Sequence, residues 1–128
     1  MRTRSSGSVR IFYPAFDKTE LLRTLRERLG RLESRLPLVR VILFGSYARG
    51  VHTVGSDVDL LIVYRGEPRP DAYALTKRAL DIPRLEPHLY TEAEYETARA
   101  TVDRMVRDGV TIFPEAPHPR PLPTGERS

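Results

Sequence analysis

Apolar positions along the chain follow helical and strand periods in turn. Leu22, Leu25, Leu29, Leu32 and Leu36 recur at helical spacing. Asp17 followed by Glu20 is a start of capping-box type, and Pro37 ends the run. Val39 to Phe44 is rich in β-branched and aromatic residues and stops at Gly45-Ser46, which predicts a buried strand entering a turn. Tyr47-Ala48-Arg49 predicts a helical turn broken by Gly50, followed by a polar connector over 51–56. Asp57 to Tyr64 predicts a second strand, 65–70 a loop, and Asp71 to Asp81 a short helix with Ala72, Leu75, Ala79 and Leu80 on its apolar side. Arg84 to Tyr90 predicts a third strand, which Pro87 restricts to a sheet edge or a bulge. Thr91 and Glu94 form a second capping box, opening a helix marked by Tyr95, Ala98, Val102, Met105 and Val106. Gly109 closes that helix as the residue just past its end, and Val110 to Phe113 predicts a last short strand. The order α-β-β-α-β-α implies an α/β (α+β) fold: a small mixed sheet of about three to four strands covered by helices.

Composition narrows the class. A chain of 128 residues, 40% hydrophobic and 30% charged, is expected to fold as one domain. The absence of cysteine excludes disulfide scaffolds, thiolate zinc sites and cysteine nucleophiles. Met1 to Arg10 is polar and basic without an apolar core, so no signal peptide is expected. No apolar run approaches the ~18 residues of a membrane span, and a cytoplasmic location is expected. Five of the eleven prolines fall in 114–128, which predicts a disordered tail after a domain over 11–113 and a flexible basic leader over 1–10. No internal repeat is visible. The sequence pI of about 9.8 suggests a nucleic-acid partner until the charges are placed. Arg2, Arg4 and Arg10 give the leader +3 without an acid, the tail is neutral, and 11–113 carries only +1 of the total +4. A nearly neutral domain argues against a nucleic-acid groove.

The second strand opens with acid where apolar residues should be. Side chains alternate along a strand, so Asp57 and Asp59 share a face with Leu61 and Val63, ~6–7 Å apart. Two carboxylates so placed repel and lose solvation. A divalent cation satisfies both; alternatively Asp57 belongs to a turn and Asp59 points to solvent. Upstream, Phe44-Gly45-Ser46-Tyr47-Ala48-Arg49-Gly50 offers free backbone N–H groups and the Ser46 hydroxyl to a phosphate, or forms an ordinary strand–turn–helix corner. It is not a Walker A loop, which requires G-x-x-x-x-G-K-[ST].

Taken together, Gly45-Ser46, ten residues, then Asp57-Val58-Asp59 form a G-S-x10-D-x-D pattern at the expected ends of two apolar strands. In this pattern the chain resembles the minimal nucleotidyltransferases of the DNA polymerase β-like superfamily over residues 18–113, most specifically from Val41 to Val63. The resemblance implies a nucleotidyltransferase fold in which the Gly-Ser turn grips the β- and γ-phosphates of a nucleoside triphosphate, with Arg49 and Ser56 as further nucleotide-binding candidates. It implies that Asp57 and Asp59 hold two Mg²⁺ ions, and that a third carboxylate on a neighbouring strand completes a metal site and helps deprotonate the attacking hydroxyl. Glu86 stands where that carboxylate is usually Asp, with Pro87 after it, or else is a surface acid of an edge strand. His88 shares the face of Glu86 by period two, either lining the pocket or merely packing. Arg49 contacts phosphate or pairs with an acid. His52 is expected in solvent, Asp17, Asp71 and Asp81 as caps or loop acids, and Glu92, Glu94 and Glu96 as acids at a helix start.

The resemblance further implies a substrate and a partner. It points to AMP moved from ATP onto a hydroxyl, typically a tyrosine of a HEPN-domain toxin for which the minimal enzyme is the antitoxin. The acceptor is then expected on a partner surface. Two alternatives stand beside it: a binding module that neutralises its partner by contact alone, and nucleotidylation of a nucleic acid or small molecule.

Overall fold

A computed structural model of the chain describes residues 17–114. The expected leader over 1–10 and all but the first residue of the expected tail lie outside the described residues.

Helix α1 (Lys18–Glu33) starts as its sequence predicts: the Asp17 side chain accepts from the Glu20 N–H at 2.8 Å. Its buried stripe is Leu21, Leu25, Leu29 and Leu32, with Leu36 buried just beyond the helix. Leu22 is only half-buried and Leu21 takes its place, while Leu25, Leu29, Leu32 and Leu36 are buried as expected. Strand β1 (Leu38–Phe44) leads into the one-turn helix α2 (Ser46–Arg49), and β2 (Val58–Tyr64) follows the connector. Helix α3 (Ala72–Leu80) then crosses to β3 (Leu85–Thr91). The helix expected after Thr91 is two pieces, α4 (Glu92–Thr97) and α5 (Arg99–Met105), because the backbone leaves helical dihedrals at Ala98 (φ −101°, ψ 16°). Hydrogen bonds continue on both sides of the break, from Ala98 N–H to the Glu94 carbonyl and from Val102 N–H to the Ala98 carbonyl. The apolar spacing therefore survives an interruption that spacing alone does not register. Strand β4 (Val110–Phe113) completes the described chain.

The four strands form one mixed sheet in the order β3-β2-β1-β4. β1 pairs antiparallel with β2 and β4, while β2 pairs parallel with β3 from Val58↔Leu85 to Tyr64↔Thr91 without a register shift. β3 is thus an edge strand without a bulge, where the missing N–H of Pro87 is tolerated. The central strand β2 is covered on both faces, which explains its near-continuous apolar sequence. Val58, Leu60, Ile62 and Tyr64 face a core shared with α1 and α3. Leu61 and Val63 face a smaller core with Ile42, Phe44, Tyr95, Val102 and Val106. The alternation places Asp59 on this second face.

Three local devices hold these layers in place. Arg28 Nη1 donates to the carbonyls of Leu80 and Asp81, both at 2.8 Å, so α1 caps the C-terminal end of α3. Thr91 and Glu94 form the expected reciprocal capping box at the start of α4. Gly109 differs from expectation: it is not in the left-handed conformation of a C-terminal cap. A Cβ there would lie 2.5 Å from Ile42 Cγ2 and 2.9 Å from the carbonyl oxygens of Leu43 and Val106, so the glycine serves close passage over β1.

Candidate active site

The site forms where β1, β2 and β3 end side by side. Phe44 at the end of β1 is in register with Asp59 of β2, and Asp59 is in register with Glu86 of β3. Side chains opposite each other in a sheet share a face, so the strand pairing brings Glu86 alongside Asp59 although 27 residues separate them in sequence.

One step past Phe44, Gly45 adopts φ 80° and ψ −156°, a conformation essentially confined to glycine. A Cβ at this position would lie 2.5 Å from Asp59 Oδ2. The turn backbone therefore lies directly against the carboxylate, which occupies the space a side chain would fill. Helix α2 follows at once. Tyr47 and Ala48 are buried, the Arg49 N–H donates to the Gly45 carbonyl at 3.1 Å, and Lys18 Nζ of α1 donates to the Ala48 carbonyl at 2.8 Å. The first N–H groups of such a turn have no acceptor within it.

Asp59 lies in β2 and Asp57 just before it, so the strand expected from Asp57 begins one residue later, and the two carboxylates engage different partners. Asp59 is mostly covered, with its side chain 27% exposed, and its Oδ1 lies 3.3 Å from His88 Nε2. The His88 ring packs against Phe44 with centroids 5.1 Å apart. Asp57 is half-exposed, and its Oδ1 pairs with Arg84 Nη2 at 3.2 Å. Each carboxylate thus uses Oδ1 and keeps Oδ2 free of hydrogen bonds and ion pairs among the described residues. Carboxylate oxygens with free lone pairs suit a hard divalent cation such as Mg²⁺. Glu86 is exposed, and among the described residues no three His, Asp or Glu side chains are gathered closely enough to enclose a metal. Cation binding at this site would therefore rest on Asp57 and Asp59, with Glu86 at hand on the neighbouring strand.

The remaining candidates separate. Arg49 is exposed beside the turn and has no side-chain partner among the described residues. The Ser56 hydroxyl accepts from the Thr53 N–H at 2.9 Å, which closes the connector. Asp71 caps no backbone N–H; it pairs with Arg69 at 2.9 Å, which lowers its carboxyl pKa. His52, expected in solvent, is half-buried and stacks on Tyr47 with ring centroids 4.0 Å apart. Burial raises the Tyr47 phenol, and the positive charge of Arg84 acts in the opposite direction.

Two contacts could not be read from spacing. Arg84 precedes β3 in the left-handed region (φ 62°), and its carbonyl accepts from the Val58 N–H at 2.9 Å. That places its side chain beside Asp57. His88, expected either to line the pocket or to pack, is set against Asp59 by the parallel register.

In sequence, the nucleotidyltransferase domain family matches residues 22–108, from α1 through α5. A solved structure from Sulfolobus solfataricus, classed as a nucleotidyltransferase, is similar with a TM-score of 0.50 and 24% identity, over 74% of this chain and 81% of its own. A mutant of the toxin–antitoxin MntA-HpeT has a TM-score of 0.45 and 19% identity, over 77% of this chain and 73% of its own. No curated protein matches the chain.

Proposed function

The chain belongs to the nucleotidyltransferase domain family, and from that premise we propose that it moves a nucleoside monophosphate, AMP from ATP, onto a hydroxyl of a partner protein. Within the minimal nucleotidyltransferase resemblance, the acceptor is a tyrosine of a HEPN-type toxin and this chain is the antitoxin. The observation that supports the reading is the contact between the Gly45 turn and Asp59, with Oδ2 2.5 Å from where a Cβ would stand. A phosphate-accepting backbone and a cation-accepting carboxylate are useful together only if one ligand carries both phosphate and metal.

In this reading Gly45 and Ser46 hold the terminal phosphates through backbone N–H groups and a hydroxyl, and Arg49 adds a positive charge beside them. Asp57 and Asp59 supply oxygen ligands. Divalent cations bound there, two in the polymerase-like scheme, would favour ionisation of the acceptor hydroxyl and neutralise charge on the leaving pyrophosphate. Glu86 takes the proton of the acceptor hydroxyl at a carboxylate oxygen. The acceptor oxygen forms a bond to the α-phosphorus as the bond from that phosphorus to the pyrophosphate oxygen breaks. The Ser56 hydroxyl accepts from the Thr53 N–H and offers its own proton to the nucleotide.

The test is the intact mass of a HEPN-type partner co-expressed with this chain or with its Asp57→Asn, Asp59→Asn form. Whole AMP units gained only with the unsubstituted chain establish the transfer. A second reading is favoured by one observation: Glu86, the third carboxylate, is exposed on the edge strand β3 and is followed by Pro87. There the domain neutralises its partner by contact, with nucleotide as a structural ligand. An unmodified partner that is still neutralised by both forms would establish that reading and refute the first.

A further inference from the structure

Arg84 is placed against the Asp57 carboxylate, at a backbone cost. It is a non-glycine residue with φ 62°, in a region that L-residues occupy at a penalty. Its guanidinium spans two groups of the connector, with Nη2 3.2 Å from Asp57 Oδ1 and Nε donating to the Ser56 carbonyl at 3.3 Å. Both partners of the ion pair are more than half exposed, at 53% and 56%. An exposed pair of this kind contributes little to stability, so stability does not account for an arginine held in a strained backbone.

A guanidinium on Asp57 competes with any cation for that carboxylate. The same group is always charged and matches phosphate oxygens with its fork of N–H donors. We propose that Arg84 is an exchangeable counter-ion of the site: it neutralises Asp57 in the metal-free protein, yields that carboxylate to a divalent cation, and then clamps the terminal phosphates of the bound nucleoside triphosphate. This assigns Arg84 as a nucleotide-binding residue and rests on the nucleotidyl-transfer reading above. Release and clamping need only side-chain rotation, because the Arg84 backbone stays tied to β2 through the Val58 N–H.

The two roles predict opposite effects of one substitution. Arg84→Gly removes the guanidinium and suits the left-handed backbone, so the variant keeps its fold. Calorimetric titration with Mn²⁺ alone should show about two- to five-fold tighter binding than the unsubstituted chain, the range an exposed ion pair can contribute. Titration with a non-hydrolysable ATP analogue in saturating Mg²⁺ should show binding about tenfold weaker, as for a lost charge-assisted contact. Arg84→Lys should fall between the two, keeping the charge but not the fork. Equal affinities of Arg84→Gly and the unsubstituted chain in both titrations, or parallel losses in both, would overturn the proposal while leaving the transfer reading intact. An unsubstituted chain that binds neither Mn²⁺ nor the analogue would overturn both.

Discussion

Replacing Gly45 by alanine tests whether the turn and the carboxylate form one unit. The dihedrals at Gly45 (φ 80°, ψ −156°) lie in a glycine-only region, so any side chain there carries strain of about 1–3 kcal/mol. The new Cβ would also stand 2.5 Å from Asp59 Oδ2 and 3.4 Å from Asp59 Cγ. The carboxylate is the end of a short, partly exposed side chain and can rotate away, but that draws Oδ1 off His88 Nε2 and loses a contact of about 0.5–1.5 kcal/mol. Together the expected destabilisation is about 2–4 kcal/mol, or ~10–25 °C in Tm for a domain of this size. A native domain has about 5–15 kcal/mol to lose, so the variant still folds. Thermal and urea unfolding followed by circular dichroism measure the loss, and Mn²⁺ titration measures the displaced carboxylate. Gly30→Ala is the control: it lies in α1 with nothing within 4 Å of its Cβ, so the same substitution should stabilise by about 0.5–1 kcal/mol. A Gly45→Ala variant within about 0.5 kcal/mol of the parent, as expected for an unremarkable surface site, would refute the reasoning.

Asp59→Asn should leave the fold and the melting temperature nearly unchanged while abolishing nucleotide transfer, measured by partner mass, because the amide keeps the shape but not the charge a cation needs. Thr91→Ala removes one half of the capping box at α4 and should cost about 0.5–2 kcal/mol by urea unfolding. Tyr47 and Tyr95 both have phenol pKa values raised above the usual 10.0, chiefly by burial and, at Tyr95, also by its hydrogen bond to Asp103. Their protonated forms therefore favour the folded state. That stability is fully present below pH ~10 and is lost as pH rises through the raised values. Urea midpoints should fall above pH ~10, less steeply in Tyr95→Phe, and an equal fall in the variant would contradict the assignment.

Much of the fold and the outline of the site were legible because they depend on neighbours in sequence. The caps at Asp17 and Thr91 and the end of β1 at Gly45 follow from local backbone geometry. The conflict of two acids opening an apolar strand was visible for the same reason. What remained hidden was non-local or lay below the resolution of a periodic pattern. Helical spacing cannot show the break at Ala98, and it takes Leu22 where Leu21 is the leucine buried at the start of α1. Gly109 fits a helix cap by position, but only its packing against Ile42 and Leu43 shows why a side chain is excluded.

Strand order, above all, was decided by tertiary structure. The parallel pairing of β2 with edge strand β3 sets Glu86 in register with Asp59, His88 against Asp59, and Arg84 on Asp57. The sequence by itself determined which side chains each strand presents to each face, since a strand alternates whatever it pairs with. It could not determine which strand lies alongside. That choice depends on closing the long crossover through α3 and on burying both faces of β2 at once, a property of the whole sheet and of no single segment.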